Sequence, residues 1–218
     1  TTLMRAALGI LEHTGSSSLS VMTQSDRAKQ AAWLPQVREI AWGLSVRDLI
    51  GLGRLPFGPI QKNDMHVEAA IIKMELNAFS DRIATQLSGG EQARALIARA
   101  LAQDTPILMA DEPTASLDPA NQISTLKTFS ELAEAGKGII ASIHDLGLAA
   151  RYCTKLALLD RGKLVAFGSA DAVLTPDNLR TVFSIEAHYE KTKEGIIFQP
   201  LSVLKKSNKN FAQGDTLK

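Results

Sequence analysis

The chain has 218 residues, 45% of them hydrophobic and 22% charged, with a formal net charge of +1. That length holds one large domain or a domain with a subdomain, and a near-neutral balance gives no reason to expect nucleic-acid binding. Cys153 is the single cysteine, which excludes an internal disulfide and fits a reducing compartment, and no apolar run approaches the length that crosses a bilayer.

Residues 1–11 read as a helix, with Leu3, Ala6, Ala7, Ile10 and Leu11 at helical spacing. Residues 15–24 are Ser-rich and read as a loop around a short strand. Residues 31–34 (Ala-Ala-Trp-Leu) read as a buried strand stopped by Pro35, with Gln36 next. A helical run starts at Val46, and Gly51 to Pro56 should break it. Residues 67–79 read as helix again, with Val67, Ala70, Ile71, Met74 and Leu76 mostly on one face.

Two stretches carry chemistry. The first is Leu87-Ser88-Gly89-Gly90-Glu91-Gln92, a glycine-rich turn opening a helix that runs to Gln103. Unsatisfied N–H groups and the positive dipole end suit such a turn to phosphate. Ser88 and Glu91 have capping-box spacing. Capping explains those two residues, but not a pair of adjacent glycines, which weaken a helix. Close approach of the backbone to an anion does explain the pair.

The second stretch is Ile107-Leu108-Met109-Ala110-Asp111-Glu112, an apolar run suited to a central parallel strand that ends in two carboxylates. One acid at a strand tip can hold Mg²⁺, and its neighbour can take a proton from water. An anion cradle with a metal-and-base pair is the equipment of phosphoryl transfer from a nucleotide. Ala115-Ser116-Leu117-Asp118 follows as a turn, with Pro119 starting a helix to about Ala135. Residues 138–143 read as the next parallel strand, with His144 at its end. Ligands of open α/β sheets bind outside the carboxyl ends of strands, which is where Asp111, Glu112 and His144 fall. Beyond them come a short helix at 146–152 and a hairpin turning at Asp160-Arg161-Gly162. Two short helices around Pro176, small strands within 187–200 and a polar, disordered tail at 205–218 complete the chain.

In order and in residues, these motifs resemble those of ATP-binding cassette (ABC) ATPases, over nearly the whole chain to about residue 204. The resemblance implies an α/β P-loop NTPase (RecA-like) fold. Its parallel-sheet core would be residues 1–41 and 87–204, and its inserted α-helical subdomain residues 42–86. It makes Ser88, Gly89, Gly90 and Gln92 the signature turn that grips ATP bound to a second subunit, and Asp118 part of the D-loop at the dimer interface. It makes Asp111 a Mg²⁺ ligand, Glu112 the general base, His144 the switch histidine and Gln36 the Q-loop glutamine near Mg²⁺ and the attacking water. Thr1 becomes the Mg²⁺-binding Thr of the Walker A motif and Thr2 a contact to the α-phosphate, whereas the sequence alone also allows two N-capping threonines. It further implies that the N-terminal strands, the glycine loop and its Lys precede Thr1, so that the 218-residue chain is truncated within Walker A and binds ATP poorly.

Gly53-Arg54-Leu55-Pro56-Phe57 and residues 169–186 resemble ATPases of iron-siderophore, haem and cobalamin importers. The implied function is ATP hydrolysis for import at the cytoplasmic face of a bacterial inner membrane. The expected partners are permease subunits, a second copy of the ATPase and, indirectly, a substrate-binding protein. Two rivals are a non-transport ABC ATPase and a non-catalytic interaction fragment. A single signature motif and a compact insert speak against the first.

Overall fold

The apolar run before the two acids forms the middle strand of a parallel sheet. In the computed structural model, β2 (Ile107–Asp111) lies between β1 (Ala31–Leu34) and β3 (Gly138–Ser142). The model describes residues 1–37, 39–61, 63–193 and 195–204. The tail expected at 205–218 lies outside the described residues. The register pairs Leu34 with Ala110 on one side of β2 and Asp111 with Ser142 on the other. Leu108, Met109, Ala110 and Asp111 are all buried, as a strand with neighbours on both edges and cover on both faces requires. Among the described residues strand β3 pairs only with β2, and Ile140 is 50% exposed there. Thr105 stitches β1 to β2, its hydroxyl accepting the Ala32 N–H (3.0 Å) and donating to the Ile107 carbonyl (2.7 Å).

The chain divides into two compact units, Thr1–His144 and Asp145 onward. In the first, α1 (Thr2–Ala7) is shorter than the helix expected over 1–11. Gly9, at φ +64°, turns the chain out of the helix. The buried face is therefore Met4 and Leu8, packed with Leu19, Ala31 and Met109, while Leu3 and Ile10 are exposed. Residues 15–23 form turns and hold no strand, and α2 (Gln24–Gln30), capped by Thr23, was not expected.

Helix α3 (Val46–Gly51) does not break at Gly51 but tightens into a 3₁₀ helix, Leu52–Phe57. Helix α4 (Met65–Lys73) ends sooner than its apolar pattern, and a separate 3₁₀ turn covers Asn77–Phe79. Val67, Ala70, Ile71, Met74 and Leu76 are nonetheless all buried. Helix α5 (Gly89–Ala102) packs on β1, α3 and α4, and α6 (Pro119–Glu134) on β3.

The Gly53–Phe57 stretch has a structural task here. Arg54 donates to the carbonyls of Ala102 and Gln103 (3.1 Å each), satisfying the end of α5. It also pairs with Asp64 (3.1 Å) and lies 4.4 Å over the Phe57 ring. Gly53 lies against the α5 backbone, so a Cβ there would overlap the Arg99 carbonyl oxygen.

In the second unit, α7 (Leu146–Tyr152) precedes β4 (Leu156–Asp160) and β5 (Lys163–Gly168). The expected hairpin forms, with Arg161 and Gly162 both left-handed, as its tight turn demands. Helices α8 (Ala170–Val173) and α9 (Pro176–Asn178) lead through a π turn (Leu179–Phe183) to a second hairpin. Its strands β6 (Ile185–Thr192) and β7 (Gly195–Val203) are longer than expected. Ala150, Ala170, Leu174 and Leu179 form the core of this unit. Asp171 ties α8 to β6 through Tyr189 and Lys191. Burial and that carboxylate push the Tyr189 hydroxyl up to about 12. No helix among the described residues is long and apolar enough to cross a membrane.

Candidate active site

Parallel strands release their C-terminal residues at one edge of the sheet, and the candidate chemistry collects there. Thr1 donates its hydroxyl to Asp111 Oδ2, a contact across 110 positions of sequence. Thr1 occupies the N-cap position of α1, but its side chain makes no capping bond.

Asp111 is 1% exposed. Burial works to raise its carboxyl, but the hydrogen bonds from Ser142 and Thr1 outweigh it and hold the group below the ordinary carboxylate range. The ion therefore stays charged at neutral pH inside the fold. Threonine hydroxyl and carboxylate are hard oxygen donors of the kind Mg²⁺ takes. Among the described residues no cluster of three or more His, Cys, Asp or Glu is arranged for a metal.

Glu112 leaves β2 with φ +48°. A non-glycine residue in the left-handed region costs about 1–2 kcal/mol. His144 Nε2 stands 2.7 Å from Glu112 Oε1, and the ring is 83% exposed while the carboxylate is 21% exposed. The base candidate is thus half-sheltered and oriented by a histidine that faces solvent. Ser116 also takes a left-handed φ, +66°, within two successive turns closed by Ala115 N–H to Glu112 O and Leu117 N–H to Thr114 O. Asp118 caps α6, and its bonds from Asn121 lower its carboxyl below the usual range.

Ser88 and Glu91 form a reciprocal capping box, with the Ser88 N–H donating to Glu91 Oε2 (2.8 Å) and the Glu91 N–H to Ser88 Oγ (3.4 Å). The Ser88 hydroxyl also donates to Glu91 Oε2 (2.8 Å), and that bond together with the one from the Ser88 N–H holds the Glu91 carboxyl low. The N–H groups of Gly89 and Gly90 have no protein acceptor among the described residues. A Cβ at either position would meet nothing within 4 Å. Their lack of side chains therefore serves nothing in this chain's own packing, and two open donors at a helix start fit a phosphate.

Other expected site residues are less engaged. Gln36 lies two residues beyond β1, at the same sheet edge as Asp111, and is exposed. Thr2 opens α1, exposed. Gln92 turns back on its own loop, donating to the Leu87 carbonyl at 2.9 Å. Ser142 was missed. Its hydroxyl donates to Asp111 Oδ1 (2.6 Å) and accepts the Glu112 N–H (2.9 Å). Only the parallel register, which sets it opposite Asp111, reveals it.

Comparison with known proteins gives the same reading. The chain is 39% identical over 176 residues to a hemin import ATP-binding protein of Pseudomonas putida, covering 76% of this chain and 69% of that protein. It is 37% identical over 193 residues to a cobalamin import ATP-binding protein of Halobacterium salinarum, covering 84% of this chain and 48% of that one. The chain thus spans about half the length of the cobalamin relative. A solved metal-chelate type ABC transporter in an inward-facing conformation superposes with a TM-score of 0.74 at 26% identity, over 92% of this chain and 81% of that one. The sequence profile described as ABC transporter matches residues 1–115. With the acids of β2, the capped glycine turn and the Thr1–Asp111 contact in their places, the chain belongs to the ABC transporter ATP-binding family.

Proposed function

We propose that this chain is the ATP-hydrolysing subunit of an importer for an iron chelate, haem or cobalamin. The observation that carries the reading is the convergence of Thr1, Asp111, Glu112 and His144 at one sheet edge. The importer class draws on the hemin and cobalamin relatives. Thr1, Asp111 and Gln36 would hold Mg²⁺, which would supply positive charge against the phosphate oxygens. Glu112 takes the proton of the attacking water, and His144 fixes the orientation of that carboxylate while facing the γ-phosphate. Thr2 faces the α-phosphate.

Ser88, Gly89, Gly90 and Gln92 serve ATP bound by a second copy, and Asp118 stands at the joint between copies. Residues 42–86 act as the helical subdomain that meets the permease, and residues 1–41 and 87–204 as the catalytic core. The subunit is peripheral, at the cytoplasmic face, with a substrate-binding protein acting on the far side of the permease. Glu112→Gln in the assembled transporter tests the assignment of the base. Hydrolysis should fall at least about 100-fold with ATP still bound, as read by phosphate release and retained nucleotide. An unchanged rate overturns it.

A further inference from the structure

The structure assigns Ser142 as a positioning residue that locks the cation ligand and the base into one unit. Asp111 and Glu112 are neighbours in sequence, yet their tasks differ, and a turn between them leaves their relative orientation open. Ser142 closes it. One hydroxyl donates to the Asp111 carboxylate (2.6 Å) and accepts the Glu112 backbone N–H (2.9 Å). The first bond fixes Oδ1 while Thr1 holds Oδ2. The second engages the backbone of Glu112 where φ is +48°, a conformation that needs outside support.

The placement follows from the register. Ser142 pairs directly with Asp111 across β2 and β3, and paired residues of parallel strands project to the same face. A side chain one carbon longer, or one without a hydroxyl, cannot make both bonds with the strands in this register. Threonine can, because it carries the same hydroxyl on the same carbon. Valine has threonine's shape without the donor or acceptor. The pair S142T and S142V therefore isolates the hydroxyl from the packing.

The inference rests on the ATPase reading, and its test separates the two. The probes are amide hydrogen exchange at Glu112 in the 218-residue chain, and Mn²⁺ binding by electron paramagnetic resonance with millimolar ATP present. For S142V, exchange at the Glu112 amide should rise about tenfold and Mn²⁺ affinity fall about tenfold, the size set by one bond to a charged group. S142T should stay within about twofold of the original chain on both. If S142V does not fold, S142A takes its place. Equal Mn²⁺ affinity for S142V and S142T overturns the role of Ser142 and leaves the ATPase reading standing, even if the amide exchanges faster. Absence of Mn²⁺ binding by the unaltered chain overturns Asp111 as a cation ligand and with it the role of Ser142, whereas the ATPase reading stands or falls with Glu112→Gln in the assembled transporter.

Discussion

Gly90→Ala should separate folding from function in opposite directions. Gly90 lies in the first turn of α5, and the added methyl meets nothing within 4 Å. Alanine in a helix is favoured over glycine by roughly 0.5–1 kcal/mol. For a chain of this size that is a rise of about 1–4 °C in melting temperature. The same methyl occupies the space beside the open Gly89 and Gly90 N–H groups, where a phosphate would come. Losing one hydrogen bond to a charged oxygen costs about 1.5–3 kcal/mol, so hydrolysis should fall about 10- to 100-fold before any steric term. Thermal melting of the chain and phosphate release by the assembled transporter read the two effects. Full hydrolysis by Gly90→Ala, or a melting temperature lowered by several degrees, refutes the reasoning.

Gly53→Ala should do the reverse and act on the fold. Its Cβ overlaps the Arg99 carbonyl and comes within 3.3 Å of the Gln103 nitrogen, both backbone atoms, so about 2–3 kcal/mol is lost, visible as a lower urea midpoint. Asp111 should leave a mark in acid. Its folded carboxyl is held below the ordinary value of 3.8, so its stabilisation is present above that value and disappears as pH falls through the folded one. Urea unfolding followed from pH 5 downward should show that loss, and Asp111→Asn should flatten it.

The site was legible where a motif is local. The run Ile107–Ala110 ending in two acids announces a buried strand tip, and Ser88 with Glu91 announces a helix start whose glycines are otherwise unexplained. What stayed hidden depends on distant partners or backbone detail. Ser142 matters through its place opposite Asp111, which no local spacing encodes. The early end of α1 rests on the left-handed φ of Gly9, and the apolar pattern ran straight past it. Gly53–Pro56 looked like a helix breaker, because the Arg54 contacts with the end of α5 are invisible until both helices are placed. Taken by themselves Thr1 and Thr2 read as N-capping residues, and only the neighbouring motifs suggest a ligand; in the structure the Thr1 hydroxyl meets Asp111 and makes no capping bond.

That the glycine turn serves a neighbouring copy can be tested by mixing two defective chains. The capping box ties the turn within its own chain and leaves the Gly89 and Gly90 N–H groups without a protein acceptor among the described residues. In a head-to-tail dimer each nucleotide lies between the turn of one copy and the acids of the other. A dimer of one Gly90→Ala chain and one Glu112→Gln chain then has one site with both defects and one with none. Random mixing makes half the dimers of this kind, so phosphate release should recover to about a quarter of the original rate when the two sites fire independently. If turn and acids served one nucleotide within a single chain, every site in the mixture would carry a defect. Release would then stay at the level of the two variants measured apart, which separates the two arrangements in one titration.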